Sequence, residues 1–332
     1  MDIFLTFDYE LFFGKQSGTA ENCLLKPSDA LVKIADKHQI RLVFFIDIGY
    51  VVQLEKFKAQ FPELEDDYNR VVTQIKKFSE EGHDCQLHVH PHWEDTVYAD
   101  RNWNMNTKRY KLTDFHEEAA HQLFSKYKNK LEEITGKTVN IYRAGGWCIQ
   151  PFSHIKQAFS DNGILLDSSA FYGGKNTTPP YYYDYTKLPK KSSFRFSNKL
   201  IKPEKQGDFY ELPIAAYYYN SLFFWKLFIL GRLFPGTHKP IGDGFPVMPP
   251  RLKKQYLTKG LFGAATCDAY FAGVLERAFA HHQKTIEGKE FVVIGHPKAC
   301  TVYSLKKLDN FIAKNKHLHH FSTFSYYLKE RD

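Results

Sequence analysis

Short apolar runs alternate with amphipathic segments along most of the chain, a pattern typical of α/β proteins with a parallel sheet. The run RLVFFI is apolar throughout, as expected of a strand covered on both faces. Helical periodicity also continues up to Phe78, with a break near Pro62. The main predicted strands are 2–7, 41–46, 83–88, 139–143, 164–167 and 290–296; the main helices are 27–38, 113–135, 152–162, 268–284 and 305–314.

The stretch 171–261 interrupts this alternation. It contains a short candidate strand at 209–214 and an almost wholly apolar helix at 222–234, which Asn220 or Ser221 is suited to cap. We therefore expect one domain over 1–332, with an aromatic and basic insertion or lid at about 171–261.

The basic character of the chain belongs to one segment. The 332 residues are 43% hydrophobic and 25% charged, with a formal net charge of +8, as in a globular domain. Between Lys187 and Lys259 there are 14 Lys and Arg against 4 Asp and Glu. This surplus is either a solvated basic surface or a surface for an anionic partner, such as a phosphate-bearing substrate or a membrane contacted peripherally. No nucleic-acid-binding motif is recognisable, so no nucleic-acid partner is expected.

Cysteine usage indicates a reducing compartment. The five cysteines are dispersed and odd in number, which argues against a disulfide framework. No secretory signal is visible, and no apolar run reaches the ~20 residues that span a bilayer. The expected location is the cytoplasm, with membrane association as the alternative.

The clearest chemical feature is QLHVHPHW at 86–93, which places His88, His90 and His92 at alternate positions. In an extended strand all three would share one face; if the chain turns after His88, only His88 and His92 need meet. Histidine with a carboxylate is a common zinc-binding combination. The segment therefore predicts a metal site.

Other polar residues stand where predicted strands end, and the carboxyl ends of parallel strands form the sites of such folds. A carboxylate at 8 or 10 is available as a third ligand or as a base, and a histidine is available as an acid. Glycines at 145 and 146 allow the backbone to approach a substrate. The strand-end residues are Asp8, His88, Arg143, Asp167 and His296.

Five short motifs in order resemble those of the polysaccharide deacetylase family, also called the NodB-homology or carbohydrate esterase 4 family. They are LTFDYE, GHDCQLHVHPH, YRAGGW, LDSSAF and VVIGH. The resemblance implies a distorted (β/α) barrel of the NodB-homology type and metal-dependent N-deacetylation of an amino sugar. The third motif, YRAGGW, also resembles that of a branch associated with cell-surface polysaccharide biosynthesis.

Matched position by position, the resemblance implies a metal site of Glu10, His88 and His92, most simply holding zinc. Asp8 matches the catalytic base. Tyr9 stands where the family has a second Asp, so Glu10 is assigned as the ligand and Asp8 is kept as the alternative.

The same matching assigns the rest of the site. Arg143 would position the base, the Gly146 N–H would bind the oxyanion, and Asp167 would pair with the acid, His296. Alternatively, Asp167 caps a turn through its own side chain. Ala144 and Gly145 replace the prolines usual in the third motif. Three further residues either contact substrate or support the structure: His90, Trp93 and Trp147.

The expected function is removal of an N-acetyl or N-formyl group from an amino sugar, in a polysaccharide or its nucleotide- or lipid-linked precursor. Two alternatives stay open. One is another amide-cleaving metallohydrolase of a barrel fold, which a metal site of His88 and His90 would favour. The other is a non-catalytic carbohydrate-binding relative. The sequence does not set the oligomeric state.

Overall fold

The computed structural model describes residues 1–246 and 250–331, so positions 247–249 of the predicted insertion lie outside the described residues. The strands are β1 Asp2–Tyr9, β2 Val43–Asp47, β3 Asp84–Val89, β4 Val97–Ala99, β5 Asn102–Asn104, β6 Ile141–Ala144, β7 Leu166–Asp167, β8 Lys175–Asn176, β9 Tyr183–Asp184, β10 Phe194–Phe196, β11 Phe209–Glu211, β12 Ala216–Tyr219, β13 Leu261–Ala264, β14 Glu290–Gly295 and β15 His320–Phe321. The α-helices are α1 Lys26–His38, α2 Ile48–Phe57, α3 Pro62–Glu80, α4 Glu117–Thr135, α5 Lys156–Asp161, α6 Ser221–Leu233, α7 Pro235–His238, α8 Pro250–Lys259, α9 Leu275–Thr285, α10 Val302–Asn315 and α11 Phe324–Lys329.

The predicted parallel sheet is present, in the order β10-β11-β7-β6-β3-β2-β1-β14 with β15 also on β1. Every pair in it is parallel except β10–β11. Single bridges join Ile214 to Phe171 on one side and to Val292 of β14 on the other. The chain at Ile214 thus links the segment that follows β7 to β14 at the other end of the sheet. The fold is a distorted (β/α) barrel.

Covered strands and helix caps explain why most element predictions are confirmed. In β1 every residue after Asp2 is buried, and β2 is buried along its whole length. Gly136 ends α4 in the left-handed conformation with φ 64°, which glycine adopts without strain. Three helices begin later than predicted, because a 3₁₀ turn takes the first residues. These turns are Leu112–Asp114 before α4, Phe152–His154 before α5 and Ala269–Val274 before α9.

The segment 171–261 contains the predicted apolar helix as α6, and β11 lies within the strand predicted at 209–214. The Asn220 side chain accepts a hydrogen bond from the Phe223 N–H at 2.9 Å and caps α6. β10 and β11 extend the main sheet, while β12 pairs with β13 outside it. Its action as a lid stays a prediction.

Candidate metal centre

The parallel register brings the predicted strand-end residues to one edge of the sheet. In neighbouring strands His88 is level with Asp47 on one side and with Arg143 on the other. Asp8 lies near the end of β1, and His296 follows β14 directly. All of these side chains are buried except that of His296, which is 21% exposed. The opening of the site is therefore at His296.

Arg143 holds Asp8 in a fixed position. Its Nη1 donates to Asp8 Oδ1 at 2.7 Å and to Thr6 Oγ1 at 2.8 Å, and its Nε donates to the Ser168 carbonyl at 2.8 Å. The guanidinium also lies 4.0 Å from the centre of the Phe45 ring. The predicted pairing of Arg143 with Asp8, the base candidate, is present. The other oxygen of Asp8, Oδ2, lies 3.7 Å from His88 Nε2 and 3.9 Å from His296 Nε2.

Glu10 lies between two imidazoles. Its Oε2 is 3.1 Å from His88 Nε2 and 2.7 Å from His90 Nε2. One ligand atom from each of these three residues lies within 4.8 Å of the others. The cluster differs in one member from the predicted set of Glu10, His88 and His92, because β3 continues to Val89 and keeps His88 and His90 on the same face.

The bonding of His88 suits a cation at this point. Its Nδ1 is 2.8 Å from the Arg143 carbonyl, which can only accept, so Nδ1 carries the hydrogen and donates. The lone pair of Nε2 then points at a carboxylate oxygen, an arrangement that requires a proton or a metal ion between them. Burial lowers the pKa of His88, but Asp8, Glu10 and Asp47 outweigh burial and raise the pKa to about 9. The residues present fit a divalent metal held by two histidines and a carboxylate.

Lys298 supplies a positive charge to the site in addition to that of Arg143, and its sequence position did not predict this role. Its buried Nζ donates to Glu10 Oε1 at 2.8 Å and to the Leu11 carbonyl at 2.6 Å. Burial raises the pKa of Glu10, but Lys298 and the two histidines lower it well below its usual range. Glu10 is thus held as a carboxylate.

His296 pairs with Asp268, not with Asp167 as predicted. Asp268 accepts from His296 Nδ1 at 2.7 Å and from its backbone N–H at 2.7 Å. Burial lowers the pKa of His296, but Asp268, with Asp8 and Glu10, outweighs burial and raises it. The imidazolium form that can donate a proton is therefore stabilised.

Asp167 instead closes a local turn, which was the alternative from its sequence. Its two oxygens accept from the Ser169 hydroxyl at 2.6 Å and the Ser169 N–H at 3.0 Å. Four strands separate β7 from β14, and no hydrogen bond or ion pair among the described residues joins Asp167 to His296. Burial raises the pKa of Asp167 and of its neighbour Glu211.

His92 lies beside the cluster, in the 3₁₀ turn Pro91–Asp95. Its ring stacks on Tyr110 at 5.6 Å between centroids and meets Phe13 edge-on at 4.7 Å. It is fully buried, and neither ring nitrogen has a hydrogen-bond partner. Burial lowers the pKa of His92 well below its usual value, so it is a neutral imidazole.

The predicted substrate contacts separate into buried and accessible residues. Trp93 is 0% exposed and donates from Nε1 to Asp47 at 2.6 Å, so it packs in the core and does not stack on a sugar. Trp147 is half-buried against Phe171. Gly146 has φ 57° and lies against the Tyr110 ring, where an added Cβ would be 2.7 Å away.

Gly145 lies directly against His90 of the cluster. A Cβ at this position would lie 2.6 Å from His90 Nδ1 and 2.6 Å from the Val89 carbonyl. Any side chain at this position would collide with His90, so Gly145 lets the loop pack directly behind that imidazole.

Comparison with known proteins supports the fold. No family model and no curated protein matches the chain. A structure described as a polysaccharide deacetylase from Mycobacterium smegmatis superposes with a TM-score of 0.55 at 15% identity, over 99% of this chain and 89% of that one. The Bc1960 peptidoglycan N-acetylglucosamine deacetylase has a TM-score of 0.43 at 13% identity, over 97% and 86%. The PuuE allantoinase has a TM-score of 0.49 at 10% identity, over 98% and 87%. The chain has the fold of the polysaccharide deacetylases.

Proposed function

We propose that the chain is a metal-dependent hydrolase that removes an N-acetyl or N-formyl group from an amino sugar of a polysaccharide or its precursor. The observation that carries the proposal is the placement of Asp8 Oδ2 between His88 and His296, at 3.7 and 3.9 Å. A base, an acid and a metal-binding cluster then surround one point.

The metal would be held by Glu10, His88 and His90, and zinc suits this donor set. When bound, such an ion polarises the acyl carbonyl and increases the acidity of water. His92, whose two ring nitrogens have no hydrogen-bond partner, is the alternative to His90 as a ligand.

In the proposed reaction Asp8 accepts a proton from the attacking water, and Arg143 holds the carboxylate in place. The C–N bond breaks as His296 donates its proton to the leaving nitrogen, with Asp268 stabilising the imidazolium. The Gly146 N–H is the proposed donor to the oxyanion. The products are a carboxylic acid and the free amino sugar.

We place this reaction in the cytoplasm, on a phosphate-bearing sugar precursor. All five cysteines are buried and unpaired, which supports a reducing compartment. The basic segment 187–259 supports an anionic carrier such as a nucleotide or a lipid pyrophosphate.

Two measurements test the proposal. Mass spectrometry of protein purified without chelator should find about one metal per chain, lost in Glu10→Gln, His88→Ala and His90→Ala; loss in His92→Ala with retention in His90→Ala would reassign that ligand. Acetate or formate release should follow incubation with N-acylated sugar nucleotides or lipid-linked sugars. Absence of metal after reconstitution, or sugar binding without hydrolysis, would instead support a carbohydrate-binding protein.

The cluster of His88 with His90 also favours a second candidate, a metallohydrolase that cleaves amides other than those of sugars. The same protein screened against cyclic amides separates the two: turnover of these with none on any N-acyl sugar would select the second candidate.

A further inference from the structure

One side of α6 is apolar and open to solvent. Its four large side chains fall within an arc of about 80° around the helix axis, at about 100° per residue. The opposite side carries Phe223 and Phe224, which are buried. The exposed fractions are 59% for Leu222, 50% for Trp225, 48% for Ile229 and 66% for Leu233.

A cation lies at each edge of this apolar face. By the same helical geometry Lys226 is about 20° beyond Leu233, and Arg232 is about 20° beyond Trp225 on the other side. Both side chains are exposed, and neither has an ion-pair partner among residues 1–246 and 250–331. Apolar side chains between long cationic ones are the arrangement of helices that lie at a lipid–water interface.

A polar cavity adjoins the same face. It has a volume of about 130 Å³ and lies between α6, the turn Ala269–Val274 and α10. Lys226 and Arg277 line it from two sides, no carboxylate lines it, and Arg277 also lacks an ion-pair partner in the described chain. Two cations without a counter-charge match a phosphate group.

We propose that this face of α6 docks on an anionic phospholipid surface, with Lys226, Arg232 and Arg277 meeting lipid phosphates. The 14 basic and 4 acidic residues in 187–259 give this segment a net positive charge, opposite in sign to that of an anionic lipid surface. With 13 residues, α6 is shorter than the ~20 needed to cross a bilayer, and no helix in the described residues is long and apolar enough to do so. The helix therefore lies in the plane of the surface.

The position of α6 connects this contact with the candidate site. Phe223 packs on Tyr270 at 5.2 Å and on Phe271 at 4.9 Å. The turn that carries these two rings begins directly after Asp268, the partner of His296. Docking does not depend on the proposed reaction, but it would hold the opening of the site near lipid-linked sugars.

Vesicle flotation at low salt tests the proposal with full-length protein. Wild type should float with vesicles that contain phosphatidylglycerol and should bind phosphatidylcholine vesicles at least about tenfold less. Ile229→Asp together with Leu233→Asp should lower binding by about tenfold or more, since two apolar contacts are lost. Leu318→Asp, at a side chain 75% exposed and outside α6, is the matched control and should bind like wild type.

Lys226→Gln with Arg277→Gln should remove the preference for phosphatidylglycerol, and inorganic phosphate at matched ionic strength should not release the bound protein. Release would identify a free phosphate as the ligand and overturn the lipid assignment. Absence of flotation by wild type, or wild-type binding by the Ile229/Leu233 variant, would also overturn it. His88→Ala should bind vesicles normally, so a failure of docking and a failure of the proposed reaction give different results. Circular dichroism verifies folding in each variant.

Discussion

Replacing Arg143 with Met should strongly destabilise the protein, because it leaves Asp8 charged and buried. Asp8 is 4% exposed and Arg143 is 0% exposed, and their 2.7 Å bond is accompanied by bonds from the guanidinium to Thr6 and Ser168. Removing one partner of such a pair costs about 3–5 kcal/mol. The loss is far larger than that expected of a surface pair.

A double-mutant cycle isolates the cause. If the cost comes from the uncompensated carboxylate, Arg143→Met combined with Asp8→Asn should lose less stability than the sum of the two single variants, by about 1–3 kcal/mol. The matched control is Lys314→Met, which breaks a 2.9 Å pair with Glu276 whose side chains are 68% and 40% exposed; we expect a change below ~1 kcal/mol.

The assay is reversible urea unfolding of chelator-treated protein, so that metal binding does not add to the stability. A loss below about 1 kcal/mol for Arg143→Met, or additive single and double variants, would refute the assigned role of the pair. Metal content of Arg143→Met, measured in parallel, reports whether the His88 orientation also depends on the strand that carries Arg143.

Three other predictions follow from the site and its surroundings. Asp268→Asn should lower the kcat of the proposed reaction by about 10- to 150-fold and change the pH–rate profile, because a charge-assisted hydrogen bond to His296 is lost; the metal content should not change. Asp167→Asn is the control and should keep kcat. Equal effects of the two variants would contradict the assignment of Asp268 as the partner of His296. Gly145→Ala should lower the free energy of unfolding by about 1–3 kcal/mol, because the new Cβ collides with His90. Gly231→Ala should stabilise α6, because nothing lies within 4 Å of the new Cβ. Thermal unfolding measures both variants, and a Gly145→Ala variant more stable than Gly231→Ala would contradict the described packing. Burial, with Arg41, lowers the pKa of His83 to about 4, so the folded state binds fewer protons than the unfolded state. The contribution of His83 to the free energy of unfolding should be fully present above about pH 6.5 and should fall toward pH 4, by at most ~1.4 kcal/mol per pH unit. His83→Asn should flatten this slope when urea unfolding is measured as a function of pH.

The parallel sheet and the edge that carries the site followed from local patterns. The alternation of strands with helical segments identified β1, β3, β6 and β14, each with a polar residue at its end, and parallel pairing brings these ends together. Asp8, His88, Arg143 and His296 were found in this way.

The residues that were missed depend on contacts between distant segments. Asp268 meets His296 across 28 positions, and the stretch before it, 171–261, has no regular alternation from which to place it. The strand-end rule did contain the signal, because Asp268 soon follows the short apolar strand β13. Lys298 reaches Glu10 across 288 positions, and the sequence gives no local sign of this pairing.

The choice between His90 and His92 depended on where β3 ends. Alternation predicted that all three histidines face one way, while a turn after His88 predicted only His88 and His92. In the structure the extended backbone continues to Val89, and Pro91 begins a 3₁₀ turn. His90 therefore stays level with the cluster, while His92 rotates onto Tyr110. One residue of strand length therefore decides which histidine joins Glu10 and His88 in the cluster.

The surroundings of the two carboxylates also support the proposal that Glu10, and not Asp8, is the metal ligand. A planar guanidinium holds Asp8, and Ser168 and Thr6 fix that guanidinium in turn, so rotation of Asp8 would break several buried bonds. Lys298 holds Glu10 through a flexible four-carbon chain and occupies Oε1, while Oε2 faces both imidazoles. Glu10 can thus contribute an oxygen to a metal without disturbing Arg143. Asp8 keeps its free oxygen directed between His88 and His296, where the proposed reaction needs a base.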